Sequence, residues 1–368
     1  MPMTLADLHA ELRPTSLILL IGAIGAAIAL WLGVPLPFLL GALILVGAWS
    51  VWRSAGVPDT SPRPMLQTLR KACVSLIGVM IGATFSPALL EQLPQLWLSV
   101  MAVIPFVVIT HALSFLIYRR LARLDRATAF FAAMPGGLIE AVTLGEAAGA
   151  DPRLLSTQHF ARVVLVIVAI PTAYYLLTGI VVGSAAGQSF DATPAGLLDL
   201  VELAILCVIG IWLGRKLRLP ASYMIGPMLL SAIAHGSGVL DVASPWWLLA
   251  AAQLVIGAGL GALFAGSSLR SLGRAFGFGC ISVAAMLAVA VAFASALAPW
   301  SSLPFIALVI SLAPGGVTEM GLVALSLGIS PVAVTVHHLF RIVLTVSIAG
   351  WALPRLRQHD RADAPDLL

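Results

Sequence analysis

The sequence predicts an all-α polytopic membrane protein made of two inverted repeats, and three observations lead to this fold class. Hydrophobic side chains make up 60% of the 368 residues and charged ones only 10%, whereas a soluble domain has about 45–50% and about 25%. The mean hydropathy is +1.04, and apolar runs recur along the whole chain. The second half also repeats the first. A soluble globular enzyme is therefore excluded.

The apolar runs can be divided into individual helices by their length. Crossing about 30 Å of hydrocarbon needs ~20 helical residues. Ten segments satisfy this, centred near residues 25, 44, 79, 108, 170, 205, 228, 257, 286 and 342. The first is expected to be a retained spanning helix and not a cleaved signal, because it has a counterpart at about 197–214. Two further segments, about 128–148 and 307–327, are interrupted by Pro-Gly-Gly and are predicted to be broken.

The internal repeat is found by a single displacement of the chain, which places Pro135 on Pro314 and superposes much of the first half on the second without a gap. Near the start the match needs small gaps, and Trp31 is paired there with Trp212. The repeat predicts a first membrane domain at 1–183, a second at 196–354, and a short cytoplasmic tail at 355–368. The equivalent positions in the interrupted segments and the following helices are Pro135 with Pro314, Gly136 with Gly315, Gly137 with Gly316, Glu140 with Glu319, His159 with His338 and Arg162 with Arg341.

The distribution of lysine and arginine predicts the orientation of each half. Cytoplasmic loops are enriched in both residues, and the basic loops of the first half, such as 119–126, correspond to loops without basic residues in the second. The reverse also holds, as at 215–218. Nearly all basic residues are cytoplasmic only if the second half is inverted and each half crosses an odd number of times. We therefore predict a bacterial-type cytoplasmic (inner) membrane protein with both termini cytoplasmic.

Five crossings and one non-crossing segment in each half satisfy this parity. Our preferred assignment makes each Pro-Gly-Gly segment a re-entrant hairpin, which is tolerated at membrane depth where it is buried in protein or lines a watery cavity. The alternative is a broken helix that spans the membrane, with another segment failing to cross. Parity does not choose between them.

Interrupted segments at matching positions of inverted repeats are typical of the binding site of a secondary transporter. Proline ends the preceding turn, and the glycines leave the next backbone N–H groups available for an anionic ligand or an acidic side chain. The structural alternative is that the glycines only permit close helix crossing, as we expect for Gly78 and Gly82 and their equivalents Gly257 and Gly261.

The glutamates are the strongest site candidates. Glu140 and Glu319 lie three residues beyond their glycine pairs, where a helix dipole favours a carboxylate. An ionisable group at this depth costs several kcal/mol unless it is paired, hydrated or protonated. We expect contact with a coupling ion or substrate; the alternative is a structural ion pair with Arg162 or Arg341. Either guanidinium could instead hold an anionic substrate by a bidentate contact.

Other polar residues are weaker candidates. His159 and His338 share a helix face with the two arginines and suit a proton relay, although a structural histidine is the more frequent case. His111 has no partner in the repeat and is expected to be structural, while Glu146 is expected at an entrance or loop. The three cysteines are scattered singly and are expected to pack in the interior. We expect neither a metal nor a cofactor.

The two copies of Pro-Gly-Gly-x-x-Glu, followed by His-x-x-Arg at 159–162 and at 338–341, resemble the duplicated membrane domain of the AbrB family. The resemblance covers nearly the whole chain. Members of that family are labelled variously as aidB regulator, putative ammonia monooxygenase and AbrB family transcriptional regulator. Thr318-Glu319-Met320 is closer to the family pattern than Ile139-Glu140-Ala141, so Glu319 is expected to matter more than Glu140 if the halves have specialised.

The chemistry of the chain argues against two of these labels. A copper or di-iron oxygenase needs clustered imidazoles or carboxylates, typically with Glu-x-x-His, and the sequence contains no Glu-x-x-His. Its longest polar segments, about 52–68 and 354–368, are too short to read DNA. We therefore expect no enzymatic activity and no direct nucleic-acid partner.

Two hypotheses remain for the function. The protein is a secondary transporter that moves a small solute with ion coupling, or a membrane-embedded sensor that acts indirectly on gene expression through a cytoplasmic contact such as the loop at 119–126. Both place a ligand of unknown identity at the glutamates and arginines. The lipid bilayer is the one partner that the sequence requires, and a homo-oligomer is left open.

Overall fold

The computed structural model describes residues 5–34, 36–54, 64–84, 93–179, 196–219, 221–240, 242 and 245–362. These residues form fourteen α-helices and no β-strand. The helices are α1 Leu5–Trp31, α2 Pro37–Arg53, α3 Pro64–Ala83, α4 Trp97–Leu116, α5 Arg126–Ala132, α6 Leu138–Ala147, α7 Pro152–Thr178, α8 Leu197–Lys216, α9 Ser222–Gly236, α10 Trp246–Ala262, α11 Leu269–Leu297, α12 Phe305–Leu312, α13 Val317–Ser326 and α14 Pro331–Ala362. A π-helical turn, Ile117–Leu121, extends α4.

The long helices have the length and composition of membrane spans. Seven described helices are long and apolar enough to cross a bilayer, namely α1, α3, α4, α7, α8, α11 and α14. Two more, α2 and α10, are apolar but shorter. Each of the ten predicted centres lies inside a helix, and each Pro-Gly-Gly segment is a pair of short helices. The chain is therefore a multi-pass integral membrane protein.

Helix boundaries recur at the displacement found in the sequence. The helices after the two Pro-Gly-Gly motifs, α6 and α13, are both 10 residues long. They begin at Leu138 and Val317, which the displacement makes equivalent. The next pair, α7 and α14, begins at Pro152 and Pro331, which are also equivalent. This part of the chain therefore has the same element order in both halves.

The register differs near the start of each half. Gly25 in α1 faces Gly41 in α2, and Gly210 in α8 faces Gly226 in α9, so Gly25 corresponds to Gly210. The predicted pairing of Trp31 with Trp212 is therefore wrong by about one helical turn. Apolar residues and glycine recur so often in these helices that residue identity does not fix the register between the two repeats. The point at which two helix backbones approach closely does fix it.

The chain divides into two compact units that each draw on both halves. The first unit contains α1–α3 and α8–α10, with the C-terminal parts of α7 and α13 and the first residues of α14. Its helices approach through glycine, because a residue without a Cβ lets two backbones come close. A Cβ built on Gly82 would lie 2.6 Å from Ser231 Cβ, and one on Gly261 would lie 2.7 Å from the carbonyl oxygen of Leu43. The predicted role of these glycines in helix packing is confirmed.

The second unit contains α4–α6, α11, α12, most of α7 and α14, and the first turn of α13. One core cluster joins Val103 and Phe106 of α4 to Ala290 of α11 and Leu312 of α12, with Phe340 of α14 packed against it. A second cluster surrounds α5 and α6 and includes Ala349 and Ala352 of α14. All of the candidate site residues lie in this unit.

Some predictions fall on parts of the chain outside the described residues. They concern the segment between the two predicted domains, 184–195, part of the polar segment at about 52–68, and the last residues of the tail, 363–368. The start of the predicted tail is helical, because α14 continues through Pro354 to Ala362.

Candidate functional site

The first Pro-Gly-Gly motif joins two short helices. Asp125 begins α5 by accepting a hydrogen bond at Oδ1 from the backbone N–H of Thr128, at 2.8 Å, which is a typical N-cap. Pro135 and Gly136 are buried in the break. Gly137, which precedes α6, has φ +67°, a left-handed conformation that glycine adopts without the steric cost of a side chain.

The two arms of this segment fold back on each other. The backbone N–H of Asp151, which follows α6, donates to the hydroxyl of Thr128 at the start of α5, at 3.1 Å. A Cβ on Gly145 would lie 3.2 Å from Cβ of Phe131, although these residues would be roughly 21 Å apart in a continuous helix. The beginning and the end of the segment are thus neighbours.

The second motif has the same order of elements. Pro314, Gly315 and Gly316 lie between α12 and α13, and the first two are buried. The flexible side chain of Met320 packs against Gly315, where a Cβ would lie only 2.6 Å from Met320 Cγ. Both Pro-Gly-Gly motifs therefore separate a short helix that ends before the proline from one that begins just after the glycines.

The two glutamates occupy the N-termini of the following helices. The carboxylate of Glu140 lies close to Gly137, where a Cβ would be 3.1 Å from Oε2, and that of Glu319 lies over Gly316 in the same way. Both residues are half-buried and fall in the first turn of their helices. A carboxylate at this position is stabilised by the positive end of the helix dipole.

The guanidinium groups of Arg162 in α7 and Arg341 in α14 lie at the C-terminal ends of the short helices α5 and α12. Arg162 donates to the carbonyl of Met134. Arg341 donates to the carbonyls of Ala313 and, at 2.6 Å, of Gly315. The C-terminal end of a helix has carbonyls without an internal hydrogen-bond partner and carries a negative partial charge. The guanidiniums supply both the donors and the positive charge. The terminal guanidinium nitrogens of the two arginines, which were predicted to hold a substrate, therefore partly bind backbone carbonyls instead.

Hydrogen bonding defines the tautomer of His159. Its Nδ1 lies 2.9 Å from Nη2 of Arg162, and its Nε2 lies 2.9 Å from the carbonyl of Phe131. Arginine only donates and a carbonyl only accepts. Nδ1 is therefore the acceptor, and Nε2 carries the proton.

The second half uses its histidine differently. His338 has Nε2 3.2 Å from the carbonyl of Ala313, while its Nδ1 has no hydrogen-bond partner among the described residues. Arg341 directs Nη2 to Gly315, whereas its counterpart Arg162 directs Nη2 to His159. The repeated residues are thus held by two different sets of hydrogen bonds.

Arg341 brings the two motifs together. It bonds Gly315 of the second motif, and its Nε faces Gly136 of the first, where a Cβ would lie 3.5 Å from Nε and 3.5 Å from Oγ1 of Thr345. The predicted site residues therefore form one cluster around α7 and α14.

Several buried polar atoms of this cluster have no hydrogen-bond partner within the described part of the chain. They are Nε of Arg162, Nε of Arg341, Nδ1 of His338, Nε2 of His337 and Oε1 of Gln158. The two arginines are 3% and 1% exposed, so bulk water does not reach these atoms freely. Buried polar groups are normally paired, and such a concentration at one place indicates a site for water or a ligand.

Gln158 and His337 were not predicted as site residues. Both side chains are buried, and they occupy equivalent positions of the repeat. Each lies one turn before an arginine on the same helix face. The signal was present, since a polar residue stands at this position in both halves.

The remaining candidates are peripheral to this cluster. His111 packs edge-on against Phe130, with ring centroids 4.6 Å apart, and Glu146 is exposed. The cysteines are free thiols, and Cys280 is exposed instead of packed in the interior. Within the described ranges, no group of three His, Cys, Asp or Glu side chains is arranged to hold a metal ion.

Comparison with known proteins places these features in a family. A family model described as "Transition state regulatory protein AbrB" matches residues 54–357. The chain is 24% identical over 342 residues to "Uncharacterized protein YhjN" of Bacillus subtilis (strain 168), covering 89% of each protein. It is 26% identical over 293 residues to "Putative regulator AbrB" of Escherichia coli (strain K12), covering 79% of this chain and 81% of the relative. Because the family model matches most of its length, this integral membrane protein belongs to the AbrB family.

Proposed function

We propose that the protein is a secondary transporter that moves a small solute with ion coupling, and not an enzyme. The observation that carries this proposal is Arg341, a buried arginine in a membrane-spanning helix that reaches both helix breaks. Ionisable groups at such depth mark substrate or ion pathways, and breaks at matching positions of two repeats are where transporters bind their cargo.

The proposal includes two inverted halves, each with five crossings and a re-entrant hairpin. The hydrogen bond between Asp151 and Thr128 supports a hairpin in the first half, because it joins the two ends of the segment. The arms have 7 and 10 residues, which reach roughly 10 and 15 Å. A hairpin of this depth puts Pro135, Gly136 and Gly137 near the middle of a bilayer with about 30 Å of hydrocarbon.

In this mechanism the four charged side chains have separate tasks. Glu140 and Glu319, which are half-buried at helix N-termini, bind and release the coupling ion. Arg162 and Arg341 bind the C-terminal ends of the short helices and face the solute. His159 and His338 relay protons within the site. The protein works in the cytoplasmic membrane with both termini cytoplasmic, as the positions of lysine and arginine favour.

Charge movement in proteoliposomes after a pH or sodium jump tests this function, with candidate solutes added in turn. We expect the native current to disappear in Glu140→Gln or Glu319→Gln. Glu146→Gln is the matched control, because this exposed carboxylate lies in the same segment and has Leu325 as its repeat equivalent. A current that survives both site variants, or none from folded protein under any ion or solute, contradicts ion coupling at these residues.

A second function is favoured by the names of the matched family and of the Escherichia coli relative, both of which describe a regulator. We propose as this alternative a membrane-embedded sensor that affects gene expression indirectly. Its signal would pass through the basic segment 119–126, where Arg119 and Arg120 are exposed. Loss of signalling with intact solute uptake, after replacement of these arginines, would support the sensor, provided that membrane topology is unchanged.

A further inference from the structure

We propose that α8 carries a binding site for one anionic phospholipid on its lipid-facing side. Arg215 and Lys216 hold the phosphodiester of the head group, and an acyl chain lies along Val208 and Ile211. The site belongs to the first compact unit, whereas the Pro-Gly-Gly cluster belongs to the second. It is therefore independent of whether the protein is a transporter or a sensor.

The two faces of α8 have different surroundings. Leu206, Gly210 and Gly214 recur at four-residue intervals and are buried against neighbouring helices. Val208 and Trp212 are each two residues from Gly210, which places them about 200° around the helix from it. They are 67% and 58% exposed. Among the seven described helices that are long enough to span a membrane, α8 is the least buried, so its second face is the one that lipid contacts.

Two rows of side chains on this second face border an open groove of about 440 Å³. Val208, Trp212 and Lys216 form one row at four-residue intervals, and Ile211 and Arg215 form the next. The groove is therefore apolar toward the middle of the helix and basic at its C-terminal end. A phospholipid has the same order of groups along its length, with acyl chains joined to a charged head group.

The basic end of the groove lies at the depth of the lipid head groups. α8 has 20 residues and ends at Lys216, so it is about 30 Å long and matches the hydrocarbon thickness of a bilayer. Trp212 lies one turn earlier, and tryptophan and extended lysine side chains both favour the interface between lipid and water. Nζ of Lys216 lies 4.7 Å from the centre of the Trp212 ring, which is a cation–π distance. The indole thus keeps the ammonium beside the groove.

The charges around this end favour an anion. No residue that lines the groove is acidic, and the carboxylates of α8, Asp199 and Glu202, lie about 20–24 Å along the helix from Arg215. The start of α9 packs against the end of α8, and there Lys71 lies over the ring of Tyr223 at 5.2 Å and adds a positive charge. In the predicted orientation this end faces the cytoplasmic leaflet, which is rich in anionic lipids.

The first half of the chain has no equivalent of this site. The register fixed by the glycine contacts of α1 and α8 places Leu30 at the position of Arg215 and Trp31 at that of Lys216. The helix packing that both halves share therefore does not need the two bases. The enrichment of bases on the cytoplasmic side explains why they lie at this end, and the groove beside them gives them a ligand of defined shape.

The test is native mass spectrometry of the full chain, delipidated in detergent and titrated with one phospholipid at a time. The panel contains phosphatidylglycerol, phosphatidylethanolamine with the same acyl chains, and glycerophosphoglycerol, which is the anionic head group without chains. The first variant combines Arg215→Gln with Lys216→Gln. Its matched control combines Arg270→Gln with Arg274→Gln, which removes two exposed bases from α11. Trp212→Leu removes one wall of the groove and retains both charges.

We expect phosphatidylglycerol to bind at least tenfold more tightly than phosphatidylethanolamine. Each base near an anionic lipid contributes about a factor of five, so the first variant should lose at least tenfold of this affinity. The loss should be about threefold or more in Trp212→Leu and less than twofold in the control pair.

Four results would overturn the proposal. They are equal binding of the two lipids, an equal loss in the control pair, no loss in Trp212→Leu, and binding of glycerophosphoglycerol as tight as that of the lipid. A dimer that replaces the lipid adduct and disappears in Trp212→Leu would also overturn it, because the groove would then bind a second copy of the chain.

Discussion

Replacing Gly261 with alanine tests the close helix packing on which the first unit depends. A Cβ at this position would lie 2.7 Å from the carbonyl oxygen of Leu43, 2.8 Å from the backbone nitrogen of Gly47 and 3.0 Å from Cβ of Val46. Two of the three neighbours are backbone atoms, which cannot move without shifting α2 as a whole. The nearest contact is about 0.7 Å shorter than an ordinary contact of 3.4 Å, and packed interiors do not absorb such a difference freely.

The expected effect is the difference between two opposing terms. Overpacking costs about 1–3 kcal/mol, whereas alanine is better than glycine inside a helix by about 0.8–1.0 kcal/mol. The steric term is the larger of the two. Gly273→Ala isolates the favourable term, because Gly273 is exposed on α11 and its Cβ would meet no atom within 4 Å.

The assay is the apparent melting temperature of the purified protein, read as the fraction that remains monodisperse after heating. Each kcal/mol shifts the midpoint of a unit of this size by roughly 2–4 °C, so we expect Gly261→Ala to melt several degrees lower and Gly273→Ala to melt no lower than the native protein. Gly82→Ala, at the repeat-equivalent contact with Ser231 and Ala232, should behave like Gly261→Ala. Equal stability of Gly261→Ala and Gly273→Ala would show that α2 and α10 are not in close backbone contact.

Two further predictions concern the first helix break. Single cysteines at the exposed positions Arg126 and Arg153, in a background without Cys73, Cys207 and Cys280, should react with a membrane-impermeant thiol reagent from the same side of the membrane. Labelling from opposite sides would rule out the hairpin. Asp151→Ala should lower the free energy of unfolding by about 0.5–2 kcal/mol, because Oδ1 accepts from the backbone N–H groups of Arg153 and Leu154. Asp199→Ala, which removes another carboxylate at a helix N-terminus, that of α8, is the matched variant. A loss of unfolding free energy in Asp199→Ala but not in Asp151→Ala would contradict the N-cap at Asp151.

The sequence was sufficient to predict the helices and the position of the breaks, because both depend on local features. Apolar length identifies a span, and proline followed by two glycines interrupts a helix wherever it occurs. The partners of the charged residues were not predictable in this way. The sequence did not predict the contacts of Arg341 with backbone carbonyls, because a sequence does not show where the backbone of a broken helix leaves its oxygens.

The register near the start shows a related limit. The pairing of Trp31 with Trp212 relied on residue identity, whereas the structural equivalence rests on the backbone approaches of Gly25 to Gly41 and of Gly210 to Gly226. Apolar residues that face lipid can be substituted for one another, so their identity carries little information about the register between the repeats. Close contacts between helices carry more, but they are visible only once the two helices are placed together.

The difference between Gln158 and His337 bears on how the two halves came to be one chain. A symmetric pair of identical single-repeat subunits makes every contact twice, with the same side chain at both equivalent positions. Here glutamine occupies one position and histidine the other, and the neighbouring arginines have different partners. Such an arrangement requires two separately encoded copies of the repeat, so that a substitution in one is not imposed on the other. The duplication therefore allows the two halves to surround equivalent arginines with different chemistry.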